Sequence, residues 1–339
     1  TRRRQIDVQD MIDIAVIGAG PCGLGVGVAA AQEGVGCVIF EKGCITNCIA
    51  GYPTYGSFFS TSEKLELGGL PFVTVNPRPT RLEALKYYRR VVEHFRLDVR
   101  QYEEVVDVAR EAGGRFAIRT RRADGSAAEY HAANIVDATG YWDHPNLLEV
   151  PGEELPKVTH YYREGLPYYD QDVLVVGGGN SAVEAALDLF RSGARVTIVH
   201  FLDDFDSGVK PWVLPDIQGR VRNGEVQARF GHRVAEIRPN SVVIRSETDG
   251  RTEELENDFV FAMTGYTPDP WILRALGVTI DPETGEPAHD PETMETDARG
   301  VFIAGVVAGG NRPNKVFIET GREHGPRIVR AVLSGSPAV

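Results

Sequence analysis

The chemistry legible in this 339-residue chain lies in its cysteines and in two glycine-rich loops. Cys22, Cys37, Cys44 and Cys48 all fall near the start, with no CxxC pair and no histidine close by. That spacing excludes a Cys–His zinc site. No secretory pattern precedes them, so the expected environment is a reducing cytosol in which they are thiols. Cys22 stands inside GAGPCGLG (Gly18 to Gly25), which has the glycines of a phosphate loop. Two roles are open to it. It is a small hydrophobe where such loops want a small residue, or it is a redox thiol in the first turn of a helix. The helix dipole would lower its pKa, and a neighbouring pyrophosphate would raise it. Cys37 reads as core, in the middle of an apolar strand. Cys44 and Cys48 compete as a redox pair if one helix face carries both, but Gly43 and Gly51 make a loop plausible there.

The first loop needs a strand before it and a helix after it, and the sequence supplies both. Ile14 to Ile17 read as a buried parallel strand, Gly23 to Gln32 as a helix, and Val35 to Phe40 as a second strand ending at Glu41. Gly18 permits the tight turn, Gly20 lets a pyrophosphate approach the backbone, and Gly23 allows close helix–strand packing. Pro21 belongs to the loop and Cys22 to the first turn of the helix, whose N-terminus points free N–H groups at the phosphates. Glu41, followed by Lys42, has the spacing of a ribose-binding acid. The pattern recurs in QDVLVVGGGNSAVEAALDLFRSGARVTIVH, with Gly177, Gly179 and Ala182 as GxGxxA and Asn180 and Ser181 as further candidate cofactor-binding residues. Two such βαβ units imply two dinucleotides, and chemistry between them is hydride transfer from a nicotinamide to a flavin. The second unit ends at His200, without the carboxylate that would repel a 2′-phosphate, which favours NADPH over NADH. The next residues are Phe201, Leu202, Asp203 and Asp204, with no arginine, and Arg195 or Lys210 would have to substitute.

Further punctuation extends the plan. NIVDATGYWDHP, with Thr139 and Gly140, and DFVFAMTGYTPD, with Gly265, are matching strand-to-glycine turns that close the two nucleotide domains. GVFIAGVVAGG, with Gly305, is another buried strand followed by glycines. The segment before Asp137 alternates like a β-meander, turning at Gly113-Gly114 and Asp124-Gly125. PGEELP (Pro151 to Pro156) reads as a linker. The expected fold class is α/β: two Rossmann-like domains, the nicotinamide domain (156–268) inserted into an FAD domain formed by 11–155 and 269–339. Hydrophobic residues make up 42% and charged residues 25%, a globular composition. No apolar run approaches the roughly 20 residues of a membrane span. The N-terminal TRRRQIDVQDM reads as a frayed extension, not a signal peptide. A net charge of −12 argues against nucleic acid as a partner.

From Asp13 onward the chain resembles the two-dinucleotide flavoproteins of the low-molecular-weight thioredoxin reductase type. That resemblance implies FAD on Gly18, Gly20 and Gly23 with its ribose on Glu41, and the nicotinamide cofactor on Gly177, Gly179 and Ala182. It also implies that the Lys315-Val316-Phe317 region brings a helix N-terminus to the flavin ring. Two features depart from it. The nicotinamide domain has no cysteine, and the family's Gly-Asp pair is here Gly305-Val306. The narrower YpdA-type bacillithiol-disulfide reductases absorb both departures. The chain resembles them in GAGPCGLG, YPTYGSFFSTSEKLELGGLPF, PTRLEALKYYRRVVEHF, ATGYWDHPN, VPGEELPKV and KPWVLPDI. This resemblance implies FAD, NADPH and reduction of a small-thiol disulfide, bacillithiol disulfide first, through the one cysteine matching Cys22. It implies a homodimer or homotetramer; the expected location is cytoplasmic, with no membrane or metal partner. In that family an arginine often follows the histidine, where this chain has Phe201.

Two other readings stay open: a ferredoxin or flavodoxin reductase without a redox cysteine, and a non-enzymatic flavin sensor. Ser60, Thr61 and Ser62 lie in a loop that the resemblance puts near the flavin, and Ser60-x-x-Glu63 also reads as a capping box. His160 lacks the glycine of an FxGxxxH motif, since Pro156 stands there, and reads as a surface or interdomain histidine. His94, His144 and His324 have no catalytic spacing.

Overall fold

A computed structural model describes residues 11–312 and 315–335. The expected frayed extension at 1–10 lies outside the described residues. The chain forms two compact units: one of residues up to Ala50, Gly56–His144 and Tyr266 onward, the other of Gly51–Tyr55 and Pro145–Gly265.

The first unit opens with β1 (Met11–Ile17), α1 (Pro21–Glu33), β2 (Cys37–Glu41) and α2 (Asn47–Gly51). It continues with α3 (Arg81–Phe95), β3 (Asp98–Gln101), β4 (Glu103–Arg110), β5 (Phe116–Arg122) and β6 (Ala127–Asp137). β3, β2, β1 and β6 lie side by side in parallel, and β5 and β4 continue the sheet as an antiparallel meander. The expected meander is therefore present, turning at Gly113-Gly114 and at Gly125. β2 begins two residues later than the apolar run suggests, because Gly34 caps α1 in a left-handed conformation and Val35 N–H still bonds back to Ala30 O. Cys37 thus opens the strand and is half-buried rather than central.

The second unit contains β7 (Val158–Thr159), β8 (Asp172–Val176), α4 (Asn180–Arg191), β9 (Arg195–His200), α5 (Leu214–Arg222) and β10 (Gln227–Phe230). It ends with β11 (His232–Ile237), β12 (Ser241–Ser246), β13 (Thr252–Glu256) and β14 (Phe259–Ala262). Its parallel sheet runs β10-β9-β8-β14-β7, and β11-β12-β13 form an antiparallel sheet. Val173 and Val175 face the α4 side, with Ala185, Ala186 and Leu189. Leu174 and Val176 face the antiparallel sheet through Val234, Val242 and Ile244. A strand covered on both faces must be apolar throughout, which is why DVLVV shows no alternation. Pro151–Pro156 is not a linker. Pro151 O accepts from Ile237 N, and Glu153 caps Leu148 and Glu149 N–H groups at 2.7 Å each.

The chain returns to the first unit with α6 (Trp271–Ala275), β15 (Val301–Ile303), α7 (Ile318–Gly321) and α8 (His324–Ser334). β15 pairs in parallel with the last residues of β6, so β1, β6 and β15 end together. That shared end is where the first glycine loop sits.

Candidate active site

In the first loop each glycine has a measurable geometric reason. Gly18 has φ +109°, and a Cβ there would lie 2.4 Å from Ala138 O. A Cβ on Gly23 would lie 2.0 Å from Gly18 O, so helix and loop touch backbone to backbone. Gly20, the N-cap of α1, has nothing within 4 Å of its Cβ position and no side-chain cap. With Pro21 at the first helical position, the first N–H groups of α1 have no side-chain cap, as an anion site requires. Glu41 ends β2 and reaches across: Ala19 N–H donates to Oε2 at 2.9 Å and Gly43 N–H to Oε1 at 2.8 Å. Burial pushes its carboxyl pKa up, and these two N–H groups pull it back.

Cys22 is half-buried, and its sulfur points toward the C-terminal segment. A Cβ on Gly321 would lie 2.7 Å from Cys22 Sγ, and one on Gly305 3.0 Å. Burial pushes the Cys22 thiol up to about 12. Gly305, at φ +81°, donates its N–H to His324 Nδ1 at 3.1 Å. Burial, with Arg327 and His289 nearby, holds His324 down to about 4, so the ring is neutral and can accept that bond. Cys44 and Cys48 do not share a helix face. Cys44 precedes α2 and donates to Asn47 Oδ1 at 3.7 Å, while Cys48 lies within α2, its thiol raised to about 12, chiefly by burial.

Of the other expected residues, Lys42 pairs with Asp143 at 2.9 Å. Thr139 donates to Asp137 Oδ1 from both its N–H (3.1 Å) and its hydroxyl (2.7 Å), and Gly140 turns at φ +77°. Ser60 does not cap a helix. Residues 62–65 form a single 3-10 turn with Thr61 at the N-cap and no side-chain cap bond. Lys315 pairs with Glu286 at 2.7 Å, Val316 packs near Gly309 and Gly321, and the half-exposed Phe317 precedes α7. Its N–H donates to Thr320 Oγ1 at 3.1 Å.

The second loop repeats the first in its turn but not in its surroundings. Gly177 has φ +130° with Met263 O 2.4 Å from its Cβ position, and the buried Ala182 packs beneath. Gly179 is the uncapped N-cap of α4. Asn180 grips the following bend, donating to Gly208 O at 3.0 Å and accepting from Lys210 N at 2.9 Å. Ser181 is exposed, and Gly265 turns at φ +86° beside Asn146. His200 is buried against the loop, its ring 2.4 Å from a Cβ at Gly178. Arg195 cannot serve a phosphate here. It lies at the start of β9, the opposite end from the loop, clamped by Asp172 at 2.8 and 2.9 Å and by Asp170.

A family model described as pyridine nucleotide-disulphide oxidoreductase matches residues 15–305, and so takes in both loops. The chain belongs to that family. This oxidoreductase is 48% identical to bacilliredoxin reductase Bdr of Bacillus subtilis (strain 168) over 319 residues, 94% of this chain and 96% of the relative. Its fold matches the bacillithiol disulfide reductase Bdr (YpdA) of Bacillus cereus with a TM-score of 0.94 at 46% identity, covering 96% of this chain and 100% of that one. The Staphylococcus aureus protein of the same title matches with a TM-score of 0.91 at 38% identity, covering 97% and 100%.

Three residues that lie beside the two loops escape a reading of the sequence. Asp137 is fully buried at the shared strand end, its Oδ2 has no hydrogen-bond partner among the described residues, and burial pushes its carboxyl up to about 6. An aspartate ending an apolar strand is the signal that could have found it. Asp206 lies against the second loop and His324 holds Gly305, and neither has a local sequence signature, since the chain brings each from outside its loop. His160, by contrast, is a structural partner of Glu153, 3.2 Å from its carboxylate.

Proposed function

We propose that this chain is an FAD-dependent, nicotinamide-dinucleotide-driven reductase of a low-molecular-weight disulfide, bacillithiol disulfide, with Cys22 as its redox thiol. The observation that carries this is the pair of built glycine loops, each opening a helix whose first N–H groups have no side-chain cap. The names of the relatives supply the substrate class. The first unit takes FAD. Gly18, Gly20 and the start of α1 receive its pyrophosphate, Glu41 orients its ribose, and Asp137 Oδ2 is a buried polar atom for which a dinucleotide supplies the partner. The second unit takes the nicotinamide dinucleotide on Gly177, Gly179 and Ala182. When bound, FAD supplies two-electron chemistry that links a hydride donor to a disulfide.

At Cys22 the step is thiol–disulfide exchange. Its sulfur bonds to one half of the disulfide, and the other half leaves as a thiol with the Cys22 proton. Two electrons and two protons then release the second thiol and restore Cys22. A thiol held near 12 keeps its proton at neutral pH, so exchange requires that proton to be taken as the S–S bond forms.

The packing of Cys22 Sγ on Gly305 and Gly321 favours a second reading, in which Cys22 fills space and electrons reach the disulfide directly. Cys22→Ala and Cys22→Ser decide between them. The purified flavoprotein is photoreduced without oxygen, bacillithiol disulfide is added, and reoxidation is followed by flavin absorbance. The redox role predicts a loss of roughly a hundredfold or more in reoxidation rate, with flavin content unchanged. Full rates in both variants establish the second reading. A wild-type flavin that bacillithiol disulfide does not reoxidise refutes both.

A further inference from the structure

We infer that the second nucleotide loop selects NADH over NADPH, with Asp206 taking the ribose-recognition place that His200 leaves empty in sequence. This rests on the proposal that the second unit binds the nicotinamide dinucleotide.

A dinucleotide loop distinguishes the two coenzymes by what faces the adenosine ribose. A carboxylate accepts from the 2′-hydroxyl, whereas an arginine receives the 2′-phosphate. By sequence the strand end offers only His200, and the expected coenzyme is NADPH. The fold changes the chemistry at that point. The His200 ring lies over Gly178, 3% exposed, with no hydrogen-bond partner on either nitrogen among the described residues. Its Nε2 is 3.2 Å from Asp206 Oδ1 but off the hydrogen-bonding direction. Asp206 is tied to the loop by its own backbone, N–H to Gly178 O at 3.0 Å. Its other oxygen lies 3.0 Å from the Cβ position of Gly179, the N-cap of α4. The carboxylate missing from the end of β9 is thus delivered by the bend six residues later. The buried imidazole beside it, neither nitrogen of which makes a hydrogen bond among the described residues, marks a polar site built for a further hydrogen-bonding group.

The neighbouring charges agree. Asp203 and Asp204 occupy the same bend. Arg233 does not replace the missing arginine: its guanidinium stacks on the Phe201 ring at 4.3 Å and bonds Glu247 at 3.1 Å. Lys210 is held by its backbone to Asn180, and its charge acts on Glu184 of α4. Arg195 is at the far end of the strand. A 2′-phosphate would meet the Asp206 carboxylate, and such like-charge contact suppresses the wrong partner.

The test is an equilibrium titration of the FAD-loaded protein with NAD+ and with NADP+, alongside anaerobic flavin reduction by NADH and by NADPH. NAD+ is expected to bind at least about tenfold more tightly, with the same order in the reduction rates. Equal binding, or tighter NADP+, overturns the inference. Asp206 is partly exposed, so substitution there should not disturb folding, and flavin content and thermal midpoint check this. Asp206→Asn is expected to narrow the preference and Asp206→Arg to reverse it, and an unchanged ratio in both overturns the assignment. The titration involves no disulfide, and the disulfide test uses photoreduced flavin, so failure of one is distinguishable from failure of the other.

Discussion

Burial displaces the pKa values of Asp137 and His324 in opposite directions around one strand end, where Asp137 O accepts from Ala304 N and His324 accepts from Gly305 N. Asp137 is raised from 3.8 to about 6, so its contribution to stability is present below pH 3.8 and lost as pH rises through 6. His324 is lowered from 6.5 to about 4, so its contribution is present above pH 6.5 and lost as pH falls through 4. Each displacement corresponds to up to about 3 kcal/mol, and the two slopes oppose one another between pH 4 and 6. Asp137→Asn removes one of them. The variant should be more stable than wild type at pH 7 and should lose stability steeply toward pH 4. Thermal midpoints measured across that range check this, and parallel profiles for variant and wild type would show that Asp137 is ionised in the fold. Neither residue is legible in the sequence as a titrating group, because burial is set by strands and helices that meet only in three dimensions.

Among the helices, some local signals carry through to the structure and others do not. Ser60-x-x-Glu63 has the letters of a capping box, yet the turn there is 3-10, starts at Ser62 and has Thr61, not Ser60, at its N-cap. The same pattern recurs at Thr80-x-x-Glu83, where the box forms. Thr80 Oγ1 accepts from Glu83 N at 3.3 Å, and Glu83 Oε2 accepts from Thr80 N at 2.8 Å. The difference lies in the helix itself. α3 runs 15 residues with an apolar stripe of Ala84, Tyr87, Tyr88, Val91 and Val92, which gives the box a helix to cap. Thr80→Ala should cost about 1 kcal/mol in chemical denaturation, with Thr80→Ser close to wild type. A neutral Thr80→Ala with a destabilising Ser60→Ala would reverse this assignment. The glycine loops are readable because strand, turn and helix lie within one short stretch, and the turn geometry at Gly18 and Gly177 depends on that stretch together with one neighbouring strand.

For the whole molecule, two glycine loops in separate units predict two separable binding defects. Gly20 has an ordinary backbone conformation and open space around its Cβ position, so Gly20→Val should fold and yet purify without flavin. Gly177→Ala meets both φ +130° and the Met263 carbonyl. It should retain flavin absorbance while dinucleotide binding weakens by about tenfold or more. Titration of both proteins with NAD+, together with their flavin-to-protein ratios, tests this, and loss of flavin in Gly177→Ala would contradict it. What the sequence determined by itself was everything encoded within a few tens of residues: two βαβ units, the turn glycines, Glu41 at its strand end and the absence of a CxxC pair. Tertiary structure alone decided what surrounds them. It set the Cys22 sulfur against Gly305 and Gly321 and left Asp137 Oδ2 without a partner among the described residues. It tied Arg195 to Asp172 at the end of β9 far from the second loop and laid Asp206 across that loop. Loop geometry is a product of local sterics, but the pKa of a thiol or the charge facing a ribose is the sum over every element packed nearby, and their sequence positions do not announce that they will meet.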